Sequence, residues 1–198
     1  TREGADIRRA AAGEHSAICR SARSLERALG AGSEKAAFSI GSGSNTELRG
    51  APDASRVAFA SNATEALNTA IAGLLDAGDH AITTAASHNS VLRPLYRLRD
   101  AGAIDLDIAP IAADGSLDYD ALEALFKPST RLVVVTHASN LTGDVYDVES
   151  IARMAHAHGA RIVVDAAQTA GTCPIDMGDQ GLDVVAFTGH KGLFGPQG

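Results

Sequence analysis

From Arg56 onward the apolar residues of this chain follow two alternating rhythms. Short runs without polar interruption, "RLVVVT", "RIVVD" and "DVVAFT", alternate with longer segments whose apolar residues recur every three or four positions. An unbroken β-branched run predicts a strand buried on both faces. The three-to-four spacing predicts a helix with one apolar side. Strands are therefore expected at 56–60, 81–84, 106–111, 132–136, 162–164 and 184–187. Helices are expected at 65–75, 91–101, 119–126 and 148–158, with Pro94 tolerated in a first turn. Upstream, Ile7, Ala11, Ile18, Ala22, Leu25 and Leu29 share a helical face, so residues 1–30 read as an N-terminal helix stopped by Gly30 and Gly32. Residues 31–54 are rich in Gly and Ser and read as a loop or insertion, with room for order at 36–40. Strands alternating with helices predict an α/β fold: a mostly parallel central sheet with helices on both faces.

In such sheets ligands gather beyond the carboxyl ends of the strands. Five polar clusters follow expected strands here: "SNATEALN" (61–68), "SHNS" (87–90), "THASN" (136–140), "DAAQ" (165–168) and "TGHK" (188–191). Singly, each has a plain structural reading. Asn62 and Glu65 fit a helix capping box, His88 a surface loop, Asp165 a helix cap, and Lys191 a solvated lysine. Gathered on one sheet edge, they make a different proposition. Composition narrows the field. A net charge of −7 argues against a nucleic-acid surface. No apolar run is long enough to span a membrane, and no secretory signal heads the chain. Cys19 and Cys173 are far apart and read as free thiols in a cytoplasmic protein. The histidines lack zinc-ligand spacing, so no metal site is expected. The chain starts at Thr1, so it is expected to be processed or incomplete.

The clustered groups match the needs of pyridoxal phosphate. A phosphate takes N–H groups at a helix start plus hydroxyls, which Ala63, Thr64 and Thr188 offer. The pyridine ring takes a flat partner, His88. Its nitrogen stays protonated beside a carboxylate, Asp165. The aldehyde takes a lysine whose pKa is lowered by burial and neighbours, Lys191.

The ordered motifs "SNATEALN", "SHNSVLRPL", "THASNLTG", "VVDAAQTAG" and "DVVAFTGHKGLFGPQG" resemble those of class V aminotransferase-like pyridoxal phosphate enzymes, the cysteine desulfurase and selenocysteine lyase group in particular. The resemblance runs from about Ala51 to Gly198 and implies the large domain of a fold-type I PLP-transferase, here residues 55–198. It implies that Lys191 is the Schiff-base lysine and that His88 stacks on the ring and assists proton transfer. Asp165 would pair with the pyridinium nitrogen and Gln168 with the phenolic oxygen. Ala63, Thr64, Thr188 and His190 would hold the phosphate, and Asn140 would lie near the substrate carboxylate or phenolic oxygen. The implied reaction removes sulfur or selenium from cysteine or selenocysteine, leaving alanine. The implied partners are a sulfur-acceptor protein and a second copy in a homodimer.

The resemblance also implies features that these residues do not supply. The family continues past its lysine loop into a smaller C-terminal domain carrying the sulfur-accepting cysteine and a substrate-binding arginine. Neither Cys19 nor Cys173 holds the nucleophile's place, so a large-domain fragment unable to complete turnover is expected. Ser87 stands where many relatives have an acidic residue. The alternatives are another class V aminotransferase or β-elimination lyase, which would share these cofactor residues, and a non-catalytic remnant that binds cofactor or a partner.

Overall fold

The computed structural model describes residues 36–39, 48–49 and 56–195. The helix expected at 1–30 lies outside the described residues. Nine strands are present among them: β1 (Ala36–Ser39), β2 (Leu48–Arg49), β3 (Val57–Phe59), β4 (His80–Thr84), β5 (Asp105–Ala109), β6 (Thr130–Thr136), β7 (Arg161–Asp165), β8 (Ile175–Asp176) and β9 (Val184–Ala186). The helices are α1 (Ala63–Leu74), α2 (Asn89–Asp100), α3 (Tyr119–Glu123) and α4 (Val148–Ala157).

Seven strands form one sheet in the order β3-β1-β9-β7-β6-β4-β5, and every pairing in it is parallel. Parallel neighbours cannot be joined by tight turns, so each connection returns over a face of the sheet. The buried side chains record this. Leu132 and Val134 of β6 pack with Leu67 and Ile71 of α1 and Val91 and Leu95 of α2. Val133 and Val135 pack on the opposite face with Ile151 and Ala155 of α4 and Leu122 of α3. Period-two alternation therefore splits an all-apolar strand between two cores. This is why the unbroken "LVVV" run needs no polar partner.

The six strands and four helices expected from 56 onward are all present, with ends shifted by a few residues. The main shortfall is α3, expected to reach 126 but ending at Glu123. Phe126 instead turns to stack on His158, with ring centroids 4.5 Å apart. Two strands fall in the stretch read as a loop. β1 sits between β3 and β9, and β2 pairs with β8 in a small parallel ribbon. The room left for order at 36–40 covers β1, whereas the partner of β2 is distant in sequence and no local pattern announces it. Among the described residues no helix is long and apolar enough to cross a membrane.

Opposite the carboxyl edge, the sheet closes over a buried polar group. His80 opens β4 fully buried; its Nδ1 is 2.8 Å from the Thr130 hydroxyl, and its Nε2 is 3.2 Å from Asp107. Asp107 is paired at 2.7 Å with Lys127. Burial first, and the Lys127 charge second, push the His80 pKa below its ordinary value. A histidine whose folded pKa is depressed supports the fold above its unfolded pKa and withdraws that support as pH falls. Between pH 7 and 5, unfolding of the parent should therefore become easier, and His80→Gln should flatten that slope in denaturant titrations. A His80→Gln variant with the parent's pH slope would show that the histidine takes up its proton equally in both states.

Candidate active site

The carboxyl ends of β4, β6, β7 and β9 and the start of α1 surround one open cavity of about 270 Å³. Its walls include Ala63, Thr64, His88, Asn140, Asp165, Gln168, Thr188, His190 and Lys191, which are all nine residues singled out from the sequence. They come from five separate stretches of chain, brought together because every parallel strand ends on the same edge.

The α1 end is built by local chemistry. Asn62 caps the helix, its side chain accepting from Glu65 N at 2.9 Å. Glu65 reaches back to the N–H and hydroxyl of Ser61. The Asn62 cap is thus real, although Glu65 reaches past it to the preceding residue rather than closing a capping box, and the cap does not exhaust the helix start. The N–H groups of Ala63 and Thr64 have no carbonyl behind them within the helix, and both residues face the cavity. Across from them, Thr188 is 5% exposed and its hydroxyl has no hydrogen-bond partner. A buried orphan hydroxyl beside a helix N-terminus suits an anion.

Asp165 ends β7. Register sets Thr136 and Ala186 beside it on the flanking strands. It is 5% exposed, and its Oδ1 accepts from Ala167 N at 3.0 Å. It closes a turn rather than capping an α-helix. Burial pushes its pKa above the ordinary carboxylate range, against the pull of the Ala167 N–H and of the neighbouring His88 and Lys191. A buried carboxylate this poorly compensated is suited to a cationic ligand group.

His88 is exposed on its cavity side and caps α2, its Nδ1 accepting from Ser90 N. In the 136–140 cluster, Thr136, Ala138 and Asn140 line the cavity, whereas His137 and Ser139 do not. Gln168 and His190 line the cavity but are exposed. Lys191 corrects the expectation of a buried amine: it is exposed at the mouth, in the loop after β9. That loop is seated instead by glycines. A Cβ on Gly192 would lie 2.5 Å from the Ala170 carbonyl oxygen, and one on Gly171 2.5 Å from the Gly192 carbonyl oxygen. Gly195 N then donates to the Gly189 carbonyl at 2.7 Å, closing the loop.

Sequence reasoning missed Ser90 as a wall residue, together with Asn62, Thr136, Ala138 and Ala167. Ser90 is buried, and its hydroxyl lies 2.8 Å from that of Thr64, 26 residues away. That separation is why no local signal marks it. Ser87, in the place of an acidic residue, is buried among the hydroxyls of Thr83 and Thr84. Cys173 is half-buried and free, and does not line the cavity.

The family model for aminotransferase class V matches residues 44–198. The chain belongs to the class V aminotransferase family. A probable cysteine desulfurase from Methanothermobacter thermautotrophicus is 36% identical over 187 residues, covering 94% of this chain and 43% of that protein. The apo structure of a cysteine desulfurase from Thermococcus onnurineus NA1 superposes with a TM-score of 0.65 at 37% identity, over 69% of this chain and 34% of that one. A C-DES mutant with glycine covalently linked to its PLP cofactor gives 0.63 at 29% identity, over 69% of this chain and 37% of that one. This class V chain thus has the fold-type I PLP-transferase fold and spans less than half the length of these relatives.

Two outcomes are expected. Asp165→Asn keeps the acceptor for Ala167 N and removes the cost of a buried charge. A carboxyl with a raised folded pKa destabilises the fold above that pKa, and the cost disappears below its ordinary value of 3.8. Without ligand, Asp165→Asn should therefore melt higher than the parent at pH 7, with the gap closing as pH falls towards 4. A lower melting temperature at pH 7 would show the carboxylate to be well paired. Gly192→Ala should cost about 1–3 kcal/mol in denaturant unfolding by forcing the lysine loop off the 169–172 turn. Unchanged stability would mean that the loop is not seated there.

Proposed function

We propose that this chain is the pyridoxal phosphate-binding large domain, residues 55–198, of a cysteine desulfurase-like enzyme. The observation that carries the reading is the single cavity in which a buried carboxylate, an imidazole, a helix N-terminus with an orphan hydroxyl, and a lysine converge. The residues present fit the cofactor. An anion suits the Ala63 and Thr64 N–H groups with Thr188, and a ring cation suits Asp165. When bound, the cofactor supplies an electron sink that weakens bonds at the substrate's alpha or beta carbon.

The protein's part is binding, orientation and proton control. Ala63, Thr64, Thr188 and His190 would hold the phosphate. Asp165 would keep a proton on the ring nitrogen by charge pairing, a role its burial strengthens. Gln168 would hydrogen-bond the phenolic oxygen, and Asn140 would lie near that oxygen or the substrate carboxylate. His88 would lie against the ring and assist proton transfer. Lys191 would hold the cofactor's aldehyde carbon through its side-chain amine. Its exposure puts Nζ within reach of the cavity but leaves it unshielded from water. The sulfur-accepting thiol is assigned outside the described residues, because Cys173 is not at the cavity. A cysteine substrate is supported by the names of the desulfurase relatives; selenocysteine as an alternative substrate, a sulfur-acceptor protein, a homodimeric state and a cytoplasmic location are carried by the motif resemblance alone.

Pyridoxal phosphate added to the chain and fixed with borohydride should be found on Lys191 by peptide mass, with Lys35 and Lys127 as internal controls. Label on another lysine, or none on a folded sample, would overturn the cofactor assignment. In a catalytically complete form, alanine rather than a keto acid should be released from cysteine. Keto-acid release would assign the site to a transaminase or a β-elimination lyase instead.

A further inference from the structure

We propose that Ser90 is a positioning residue, holding the His88 ring in one plane and one tautomer and tying it to Thr64 at the anion end of the cavity. Its purpose rests on the cofactor reading above; the contacts themselves do not.

Three contacts converge on this serine. Its backbone N–H lies 3.1 Å from His88 Nδ1, its hydroxyl lies 2.8 Å from the same nitrogen, and the hydroxyl lies 2.8 Å from Thr64 Oγ1. A backbone N–H can only donate, so Nδ1 must present its lone pair, and the neutral ring carries its proton on Nε2. With Nδ1 an acceptor, the Ser90 hydroxyl must also point its proton there, since two facing lone pairs at 2.8 Å would repel. Ser90 Oγ is then left as acceptor for the Thr64 hydroxyl. The order is Thr64 O–H to Ser90 O–H to His88 Nδ1.

Position explains why the order holds. Ser90 is the second residue of α2, where an N-cap side chain finds its donor. It is 7% exposed, so water does not readily replace these bonds. Thr64 stands in the first turn of α1, beside the free N–H groups. The two helix starts are thus joined through one hydroxyl. An imidazole free to rotate would present its edge or either nitrogen to a neighbouring ring; one held at Nδ1 presents a fixed face and leaves Nε2–H as its only donor.

The test is a nitrogen NMR spectrum of the chain labelled with ¹⁵N-histidine, recorded without cofactor. His88 should show a protonated Nε2 and an unprotonated Nδ1. Ser90→Ala keeps the backbone donor but loses the hydroxyl, and should reduce the tautomer preference roughly five-fold, the size of one net hydrogen bond. Ser90→Thr should restore it. A parent His88 protonated on Nδ1, or a folded Ser90→Ala with the parent spectrum, would overturn the proposal. Should Ser90→Ala fail to fold, the parent and Ser90→Thr spectra decide: both must show Nε2–H. Pyridoxal phosphate titrated into the same samples separates the two readings. The expected tautomer with no cofactor uptake keeps the Ser90 contact and sinks the cofactor site. Uptake with a mixed tautomer sinks the Ser90 role alone.

Discussion

A sheet whose strands all run the same way has one edge where every strand ends, and the whole site depends on that constraint. Parallel neighbours force each connection back across a face, so the helices cover both sides and the carboxyl edge stays open. Thr136, Asp165 and the 188–191 loop meet because β6, β7 and β9 are adjacent and in register. α1 leaves the edge strand β3 and packs over β9, β7 and β6, which carries its N-terminus to the same opening. No residue of the cavity needs an unusual backbone to reach it.

Within that frame the site combines groups that are costly alone. Asp165 is a carboxylate held where water solvates it poorly, with one N–H and the neighbouring His88 and Lys191 as compensation. Thr188 is a hydroxyl buried without a partner. Folded proteins seldom leave such groups unmatched unless a ligand completes them. The two defects sit in one cavity with opposite demands, the carboxylate for a cation and the hydroxyl with the helix start for an anion. A cofactor that carries both a phosphate and a protonated ring answers both. The related C-DES structure carries a PLP cofactor.

The same cavity shows how structural and chemical roles share residues. Asn62 and Glu65 secure the start of α1, and by doing so they aim the unused N–H groups. His88 is both the cap of α2 and a cavity wall. The bland and functional readings of these residues are therefore compatible. A capped helix start is stable enough to present its remaining donors, and a capping imidazole is one whose ring is already oriented.

The sequence by itself determined the element types from residue 56 onward and which residues gather at the sheet's carboxyl edge. Unbroken runs such as "LVVV" can only be strands buried on both faces, and polar clusters placed after such strands can only fall on the ligand edge of a parallel sheet. The residues chosen in this way, and Asn140, Gln168 and His190 added by the family resemblance, all line the cavity. Tertiary structure alone decided what depends on partners far along the chain. β1 and β2 exist as strands because β3, β9 and β8 supply their hydrogen bonds, and nothing in a Gly/Ser-rich stretch encodes that. Ser90 became part of the site because Thr64 lies across from it. Lys191 stayed exposed because burial is set by the walls around a loop, not by the loop's own residues. Local patterns fix what a segment can be, through periodicity and capping. Which groups meet, and how far water reaches them, is settled only when distant segments pack.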